Sequence, residues 1–341
     1  GSESPDPEIP QHAQAGRMTL AIHIDCDPGQ DDAIAILYAL GSGLADVVSV
    51  SVVGGNADVN NCARNALQIL DLSGCADIPV HIGAAAPLKR LLHSLPEVFG
   101  ESGMAGAEHL PDPSRSCDAA HAVDRLLQLP EGITVVALGP LTNLALALRQ
   151  DPSFAHRIGH LVVMGGCAHP EPLHGWMGNY KAPGASDYAE YNFAVDPEAA
   201  SLVFSAGITG ISMIGVDVTR SVLYNKAFDA RLRSAGGQSA GTAADILATV
   251  GPEDLVDYAD VKTSADDPVR GVHDVVAMGY ALNPGLFQTR SLPLRIALDD
   301  ACAGQTLIDE ETPDHKNVRV ITDVDRAALL HDIVDGIGRL P

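Results

Sequence analysis

A single α/β domain with a mostly parallel central sheet flanked by helices is the fold class this sequence predicts, and three observations predict it. Short apolar runs rich in β-branched residues recur along the chain, each continuous enough for a strand buried on both faces. Stretches of helical periodicity lie between them. Glycine-rich and polar turns follow the strands directly, as expected where right-handed crossovers gather those loops along one sheet edge.

The elements follow in order. Residues 20–24 read as a buried strand that ends at Asp25, ahead of the Pro28-Gly29 turn. From Asp31 the apolar positions Ala33, Ile34, Leu37 and Leu40 take helical spacing, and Gly41 is expected to stop the helix. A strand over 47–53 leads through Gly54-Gly55-Asn56 to a helix from about Asn60 to Leu72. Strands are then expected at 78–82, 133–138, 160–164 and 209–214. Helices are expected at 119–127, around 144–148, at 197–204 and at 275–282. Segments 91–116, 167–188 and 235–270 read as long irregular loops, either lids and specificity elements or disordered chain. Residues 1–17 are polar and patternless. They read as a tag remnant followed by a disordered arm, or a native arm of unknown use, and the domain is assigned to 18–341.

A chain of 341 residues that is 46% hydrophobic can bury a large core, and single α/β domains reach this size. Its net charge of -23 argues against nucleic acid or an anionic membrane as a partner. Most of those carboxylates are expected to coat a solvated surface. The six cysteines form no CxxC pair, which argues against a zinc site or a disulfide scaffold and suits a reducing, cytoplasmic compartment. No apolar run is long enough to span a bilayer, and no segment has the pattern of a signal peptide.

One charge cluster resists the surface explanation. Asp25, Asp27, Asp31 and Asp32 lie within eight residues, across a turn that lets strand-end and helix-start acids face each other. Helix capping alone accounts for Asp31 and Asp32, but not for two further acids opposite them. Like charges gathered this closely call for a cation, and hard oxygen donors favour Ca²⁺ or Mg²⁺. Two chemistries use such an arrangement. A haloacid-dehalogenase-type phosphatase would use Asp-x-Asp as nucleophile and acid; it wants Thr or Val where Gly29 stands. It also needs a later catalytic lysine, and none of Lys89, Lys181, Lys226, Lys262 and Lys316 follows a convincing strand. The other chemistry is metal-assisted hydrolysis by an activated water.

The run Asp25-Cys26-Asp27-Pro28-Gly29-Gln30-Asp31-Asp32-Ala33 resembles the N-terminal signature of the inosine–uridine nucleoside hydrolase family. Further matches follow in family order: Gly54-Gly55-Asn56, Gly139 to Asn143, Met164-Gly165-Gly166, Gly178-Asn179, Glu190-Tyr191-Asn192, Gly215 to Thr219, and His273-Asp274. They span roughly residues 19–320, too ordered a set for chance. The resemblance implies a Rossmann-like nucleoside hydrolase fold and hydrolysis of ribonucleosides to ribose and free base. It implies a Ca²⁺ ion held by Asp27, Asp32, the Thr142 carbonyl and Asp274, with Asp27 also the general base that takes a proton from the attacking water. For Thr142 and Asp274 the competing reading is helix capping.

The same resemblance places Asp31, Asn56, Met164, Asn179, Glu190, Asn192 and Asp274 around the substrate, and Asp25 in support of the cluster. A turn role competes for Asn56. His273 matches the histidine that serves the departing base, singled out among 13 histidines by its adjacency to Asp274. Tyr191 is expected to stack on the base or to pack in the core. Phe99 stands where many relatives have a histidine, Trp176 precedes a lengthened segment, and Tyr258 is a weak match to a lid tyrosine, so base preference is left open. Homodimers or homotetramers are the family's usual state. A non-catalytic nucleoside or ribose sensor on the same fold is the alternative from another class, against which the retained Asp27 speaks.

Overall fold

Ile22, Ile24 and Cys26 alternate with His23 and Asp25 along the first strand, and all five are buried. Both faces of this strand are therefore covered, the one carrying His23 and Asp25 as well as the one carrying Ile22, Ile24 and Cys26. The computed structural model describes residues 19–94, 96, 100–169, 188–249, 269–299, 301–309 and 317–341.

In chain order the first half comprises β1 (Leu20–Cys26), α1 (Gln30–Gly41), β2 (Ala45–Val52), α2 (Val59–Leu72), β3 (Val80–Ile82), α3 (Ala122–Leu127), β4 (Ile133–Ala137), α4 (Thr142–Gln150), α5 (Phe154–Arg157) and β5 (Ile158–Met164). There follow α6 (Tyr191–Val195), α7 (Pro197–Ser205), β6 (Ile211–Ile214), α8 (Val216–Thr219), β7 (Leu223–Tyr224), α9 (Lys226–Ala235) and α10 (Gly237–Ala248). The chain closes with β8 (Arg270–Gly271), α11 (His273–Leu282), β9 (Phe287–Ile296), β10 (Thr306–Ile308), β11 (Asn317–Val324) and α12 (Arg326–Ile337).

Nine strands form one sheet in the order β10-β9-β11-β6-β5-β4-β1-β2-β3. Every pairing from β3 across to β11 is parallel, and only β9 runs antiparallel to its two neighbours. The chain leaves β1 to build β2 and β3 on one side, then returns to build β4, β5 and β6 on the other. β1 and β4 thus flank the switch point, where diverging loops open a crevice beyond the carboxyl ends of the strands. The acid cluster follows β1 and the Gly139 to Asn143 turn follows β4, so topology alone brings both to that crevice.

Helices cover both faces. On one side α1, α2, α10, α11 and α12 pack over Ile22, Ile24 and Val50; on the other, α3, α4 and α7 pack over Val135, Ala137 and Val163. α1 is buried almost all round, including Ile34, Ile36 and Leu37, as a helix apolar on every side must be. Each such aliphatic side chain contributes about 1.5–3 kcal/mol through burial.

Several local expectations change. Gly41 does not stop α1 but lies within it; the chain turns at Ser42 and Gly43, which has φ 69°. Gly41 is a packing glycine, since a Cβ there would strike the Gly336 carbonyl of α12. The helix expected from 119 begins at Ala122, because the His121 imidazole accepts the Val123 N–H (3.2 Å) and caps it. β3 begins at Val80 and β6 at Ile211, each later than expected. The segment 235–270 is not wholly irregular: after Gly236 (φ 80°) ends α9, Ala240, Ala243, Ile246 and Leu247 bury one face of α10.

Candidate active site at the sheet switch point

At the end of β1 the strand delivers Asp25 and Asp27, both buried, and α1 begins two residues after Pro28. Gly29 occupies the N-cap position, and the buried Asp32 carboxylate reaches back to accept its N–H (3.0 Å). Asp32 therefore does cap the helix, with one oxygen. Its other oxygen, Oδ1, is buried with no hydrogen-bond donor among the described residues, as is Asp25 Oδ2. Capping leaves half of the carboxylate unexplained.

Asn56 ties the acids together. Its backbone N–H donates to Asp27 Oδ2 (2.7 Å), and its side-chain amide donates to the Asp27 carbonyl (3.1 Å) and to Asp32 Oδ2 (3.1 Å). The Asp27 carboxylate lies between Gly55 and Gly139, and a Cβ on either glycine would overlap it. Two glycines on different strand-end loops thus leave room for one buried acid. Asp274, at the second position of α11, joins from far along the chain, on a helix that packs beside α1. Val272, not Asp274, is the N-cap of α11, so simple capping does not explain that aspartate. Oxygen atoms of Asp31, Asp32 and Asp274 come within 4.8 Å of one another. This trio includes Asp31, which the sequence reading gave to the sugar.

Burial pushes the Asp27, Asp32 and Asp274 pKa values upward, and the neighbouring carboxylates push them further. Burial also raises Asp25, to about 6, against the donors Ser51 and Asn143 that hold it down. A divalent cation reverses this electrostatic penalty. The orphaned Asp32 oxygen and an all-oxygen donor set fit a hard cation such as Ca²⁺ or Mg²⁺.

Thr142 opens α4, and its hydroxyl donates to Asp196 Oδ2 (2.7 Å), so its side chain braces a neighbouring helix and does not cap its own. Glu190 is buried at the N-cap of α6, where it accepts the N–H groups of Gly166 (2.9 Å), Asn192 (2.9 Å) and Phe193 (3.2 Å). Burial raises its pKa to about 7 against those three donors, and Asp31 adds to the rise. Asn192 donates to the carbonyls of Leu138 (2.7 Å) and Met164 (3.1 Å), joining the ends of β4 and β5. Tyr191 is buried beside Ala194 and Val195, with its hydroxyl on the carbonyls of Gly55 (2.9 Å) and His93 (3.3 Å).

His273 starts α11, half-buried, with Nδ1 2.7 Å from Thr219 Oγ1. Although part of the residue reaches solvent, dense protein around the ring lowers its pKa, and the Asp31 charge opposes that. The same Asp31 charge raises Glu190, Asp32 and Asp274. Asn179, Trp176, Phe99 and Tyr258 lie outside the described residues.

Three polar residues of the site escaped the sequence reading. Asn143 donates to Asp25 Oδ1 (2.8 Å) and to the Val52 carbonyl (3.1 Å), while its own oxygen accepts the Ala84 N–H (2.8 Å). Ser51 and His23 stand behind Asp25 on the same sheet face. The available signal was His23 and Ser51 inside otherwise apolar strands, an exception that buried parallel strands make costly.

The family model described as inosine-uridine preferring nucleoside hydrolase matches residues 22–331. An inosine-uridine preferring nucleoside hydrolase of Leishmania major is 33% identical over 333 residues, covering 95% of this chain and 99% of that protein. A pyrimidine-specific ribonucleoside hydrolase, RihA, of Shewanella woodyi is 36% identical over 320 residues, covering 92% and 96%. Among solved structures, a purine-preferring ribonucleoside hydrolase from Gardnerella vaginalis superposes with a TM-score of 0.79 at 28% identity, covering 93% of this chain and 98% of that one.

Proposed function

Because the chain belongs to the inosine-uridine preferring nucleoside hydrolase family and hydrolyses the N-glycosidic bond of ribonucleosides, we propose that it does so with calcium, and with Asp27 as general base. The observation that carries this reading is the acid cluster itself: Asp27, Asp32 and Asp274 are buried, half-buried Asp31 brings an oxygen within 4.8 Å of those of Asp32 and Asp274, and Asp32 Oδ1 has no donor among the described residues. Asp27, Asp32, the Thr142 carbonyl and Asp274 would hold the ion, and Asp31 offers a further oxygen. When bound, calcium supplies charge that offsets the acids, binds ribose hydroxyls and acidifies a coordinated water.

The chain's own groups do the rest. Asp27, fixed between Gly55 and Gly139, takes the proton of the water that attacks C1′ as the bond to the base breaks. The surrounding carboxylates stabilise the oxocarbenium-like charge that develops on the sugar. Asp31, Asn56, Met164, Asn179, Glu190, Asn192 and Asp274 bound the ribose side in this reading. Glu190 and Asn192 contribute by setting the Gly166 and Leu138 loops as much as by direct contact. His273, with Nδ1 engaged by Thr219, serves the departing base as acid or proton relay, and Tyr191 acts by bracing the Gly55 loop.

We also propose a homodimer or homotetramer, on family resemblance, and a cytoplasmic location. All six cysteines are free, and no helix among the described residues is long and apolar enough to cross a membrane. The relatives differ in base preference, one inosine-uridine preferring, one pyrimidine-specific and one purine-preferring, so the assay compares bases directly.

That assay follows reducing sugar released from inosine, adenosine, guanosine, uridine and cytidine, with and without a strong chelator. Ribose release is expected to stop with the chelator, return with Ca²⁺, and fall by about 10²-fold or more in Asp27→Ala. Undiminished release from that variant, or release indifferent to the chelator, would sink the mechanism.

A further inference from the structure

Behind the acid cluster, on the opposite side of β1 from α1, five buried or half-buried polar side chains form a line. β1 and β2 pair in parallel with His23 opposite Ser49 and Asp25 opposite Ser51, so all four point to one face of the sheet. Arg125 of α3 reaches down to Ser49, its Nε donating to Oγ at 2.9 Å. Ser49 Oγ lies 2.8 Å from His23 Nδ1, and His23 Nε2 lies 2.8 Å from Ser51 Oγ. Ser51 Oγ donates to Asp25 Oδ1 in a short bond. His23, Ser49, Ser51 and Asp25 are all fully buried, and Arg125 is half-buried.

The two ends of this line fix its direction. Asn143 offers Asp25 an N–H, because its oxygen is already taken by the Ala84 N–H. Asp25 Oδ1 is therefore an acceptor, and Ser51 spends its single proton there. His23 must then donate to Ser51 from Nε2. At the far end Arg125 has only donors, so Ser49 accepts from it and directs its own proton to His23 Nδ1. Both ends call for the same histidine tautomer. Burial, with the Arg125 and His81 charges adding to it, lowers the His23 pKa to about 3, which agrees with a neutral ring.

We propose that Arg125, Ser49, His23 and Ser51 form a one-way hydrogen-bond relay that fixes His23 as its neutral Nε2–H tautomer and, through Asp25 and Asn143, positions the Thr142 end of α4 at the cation site. None of the four touches substrate; they are positioning residues. The relay runs from near the protein surface at Arg125 to the loop that the reaction uses. Its effect on the site rests on the calcium reading above, whereas the tautomer does not.

The tautomer is tested by long-range ¹H–¹⁵N correlation spectra of protein labelled at histidine nitrogens, with His23 assigned by the signals lost in His23→Gln. A neutral Nε2–H pattern that persists from about pH 5 to about pH 8 is expected. An Nδ1–H pattern or an imidazolium overturns the relay. Calorimetric Ca²⁺ titration of the chelator-stripped protein tests the positioning role. Ser51→Ala and His23→Leu are expected to weaken calcium binding by about tenfold or more, as loss of outer support to a metal site does. His23→Gln, which keeps a donor near the Nε2 position, is expected to recover most of that loss. Should Ser51→Ala melt as the wild type does and bind calcium as tightly, the positioning role is overturned. A wild type that binds no calcium overturns the cation reading and the positioning role with it; a wrong tautomer with normal calcium binding overturns the relay alone.

Discussion

Asp27, the proposed general base, is held in place by what its neighbours lack. Gly55 and Gly139 leave its two oxygens the space that side chains would fill, and Asn56 spends a backbone N–H and an amide on it. An alanine at 139 adds one methyl group against the Asp27 carboxylate, within 3.1 Å of the Asp27 backbone nitrogen. The carboxylate must rotate or retreat, and a displacement near 1 Å in a reacting group costs about 10²-fold in rate. Gly139→Ala is therefore expected to lower kcat by about that factor while unfolding cooperatively near the wild-type temperature. Steady-state ribose release beside a thermal melt measures both, and a variant with wild-type kcat would show that Asp27 needs no such fixed placement.

At the scale of elements, α1 carries the candidate site at one end and a close glycine contact with α12 at the other. Its first turn presents Asp31 and Asp32, while Gly41 in its last turn lies against the Gly336 carbonyl of α12. A Cβ at 41 meets backbone, which cannot swing aside, so the helices must separate. Overpacking of this kind costs about 1–3 kcal/mol. Gly41→Ala should lower the melting temperature by several degrees and leave the kcat of the folded enzyme within about twofold of wild type, because the strain sits at the far end of a 12-residue helix. A large loss of kcat with unchanged stability would mean that α1 transmits displacement along its length and is not a rigid carrier. The helix itself was legible in the sequence, yet Gly41 was misread as a stop signal. A glycine that permits close packing and one that ends a helix look alike until the partner helix is known.

At the scale of the whole molecule, much of the parallel part of the sheet was readable because its strands are largely apolar runs followed by glycine-rich or polar turns, and the signature acids follow the first of them. β9, β10 and β11 were not assigned: β9 is largely exposed over its first half and does not announce itself as a core strand. The relay was illegible for a different reason, since the His23–Ser49 and Asp25–Ser51 pairings exist only once the register of two strands is set. The same buried acids give the molecule a predictable response to pH. Glu190 titrates near 7 in the fold instead of 4.5, and Asp25 near 6 instead of 3.8. Across those windows the folded chain binds more protons than the unfolded chain, so metal-free stability falls as pH rises toward 7. Asp27, Asp32 and Asp274 are shifted in the same direction. Calcium competes with the protons on those acids, so its stabilising effect must grow over the same range. At a hundredfold excess over Kd that effect is about 2.7 kcal/mol. Melting curves of chelator-stripped and calcium-loaded protein, taken between about pH 5 and about pH 8, should therefore diverge with rising pH. The difference between the two curves matters more than either alone, because the chain's net charge of -23 makes any metal-free form self-repelling at neutral pH. A calcium-induced rise that is largest at the acid end, or absent throughout, would remove the ion from these carboxylates.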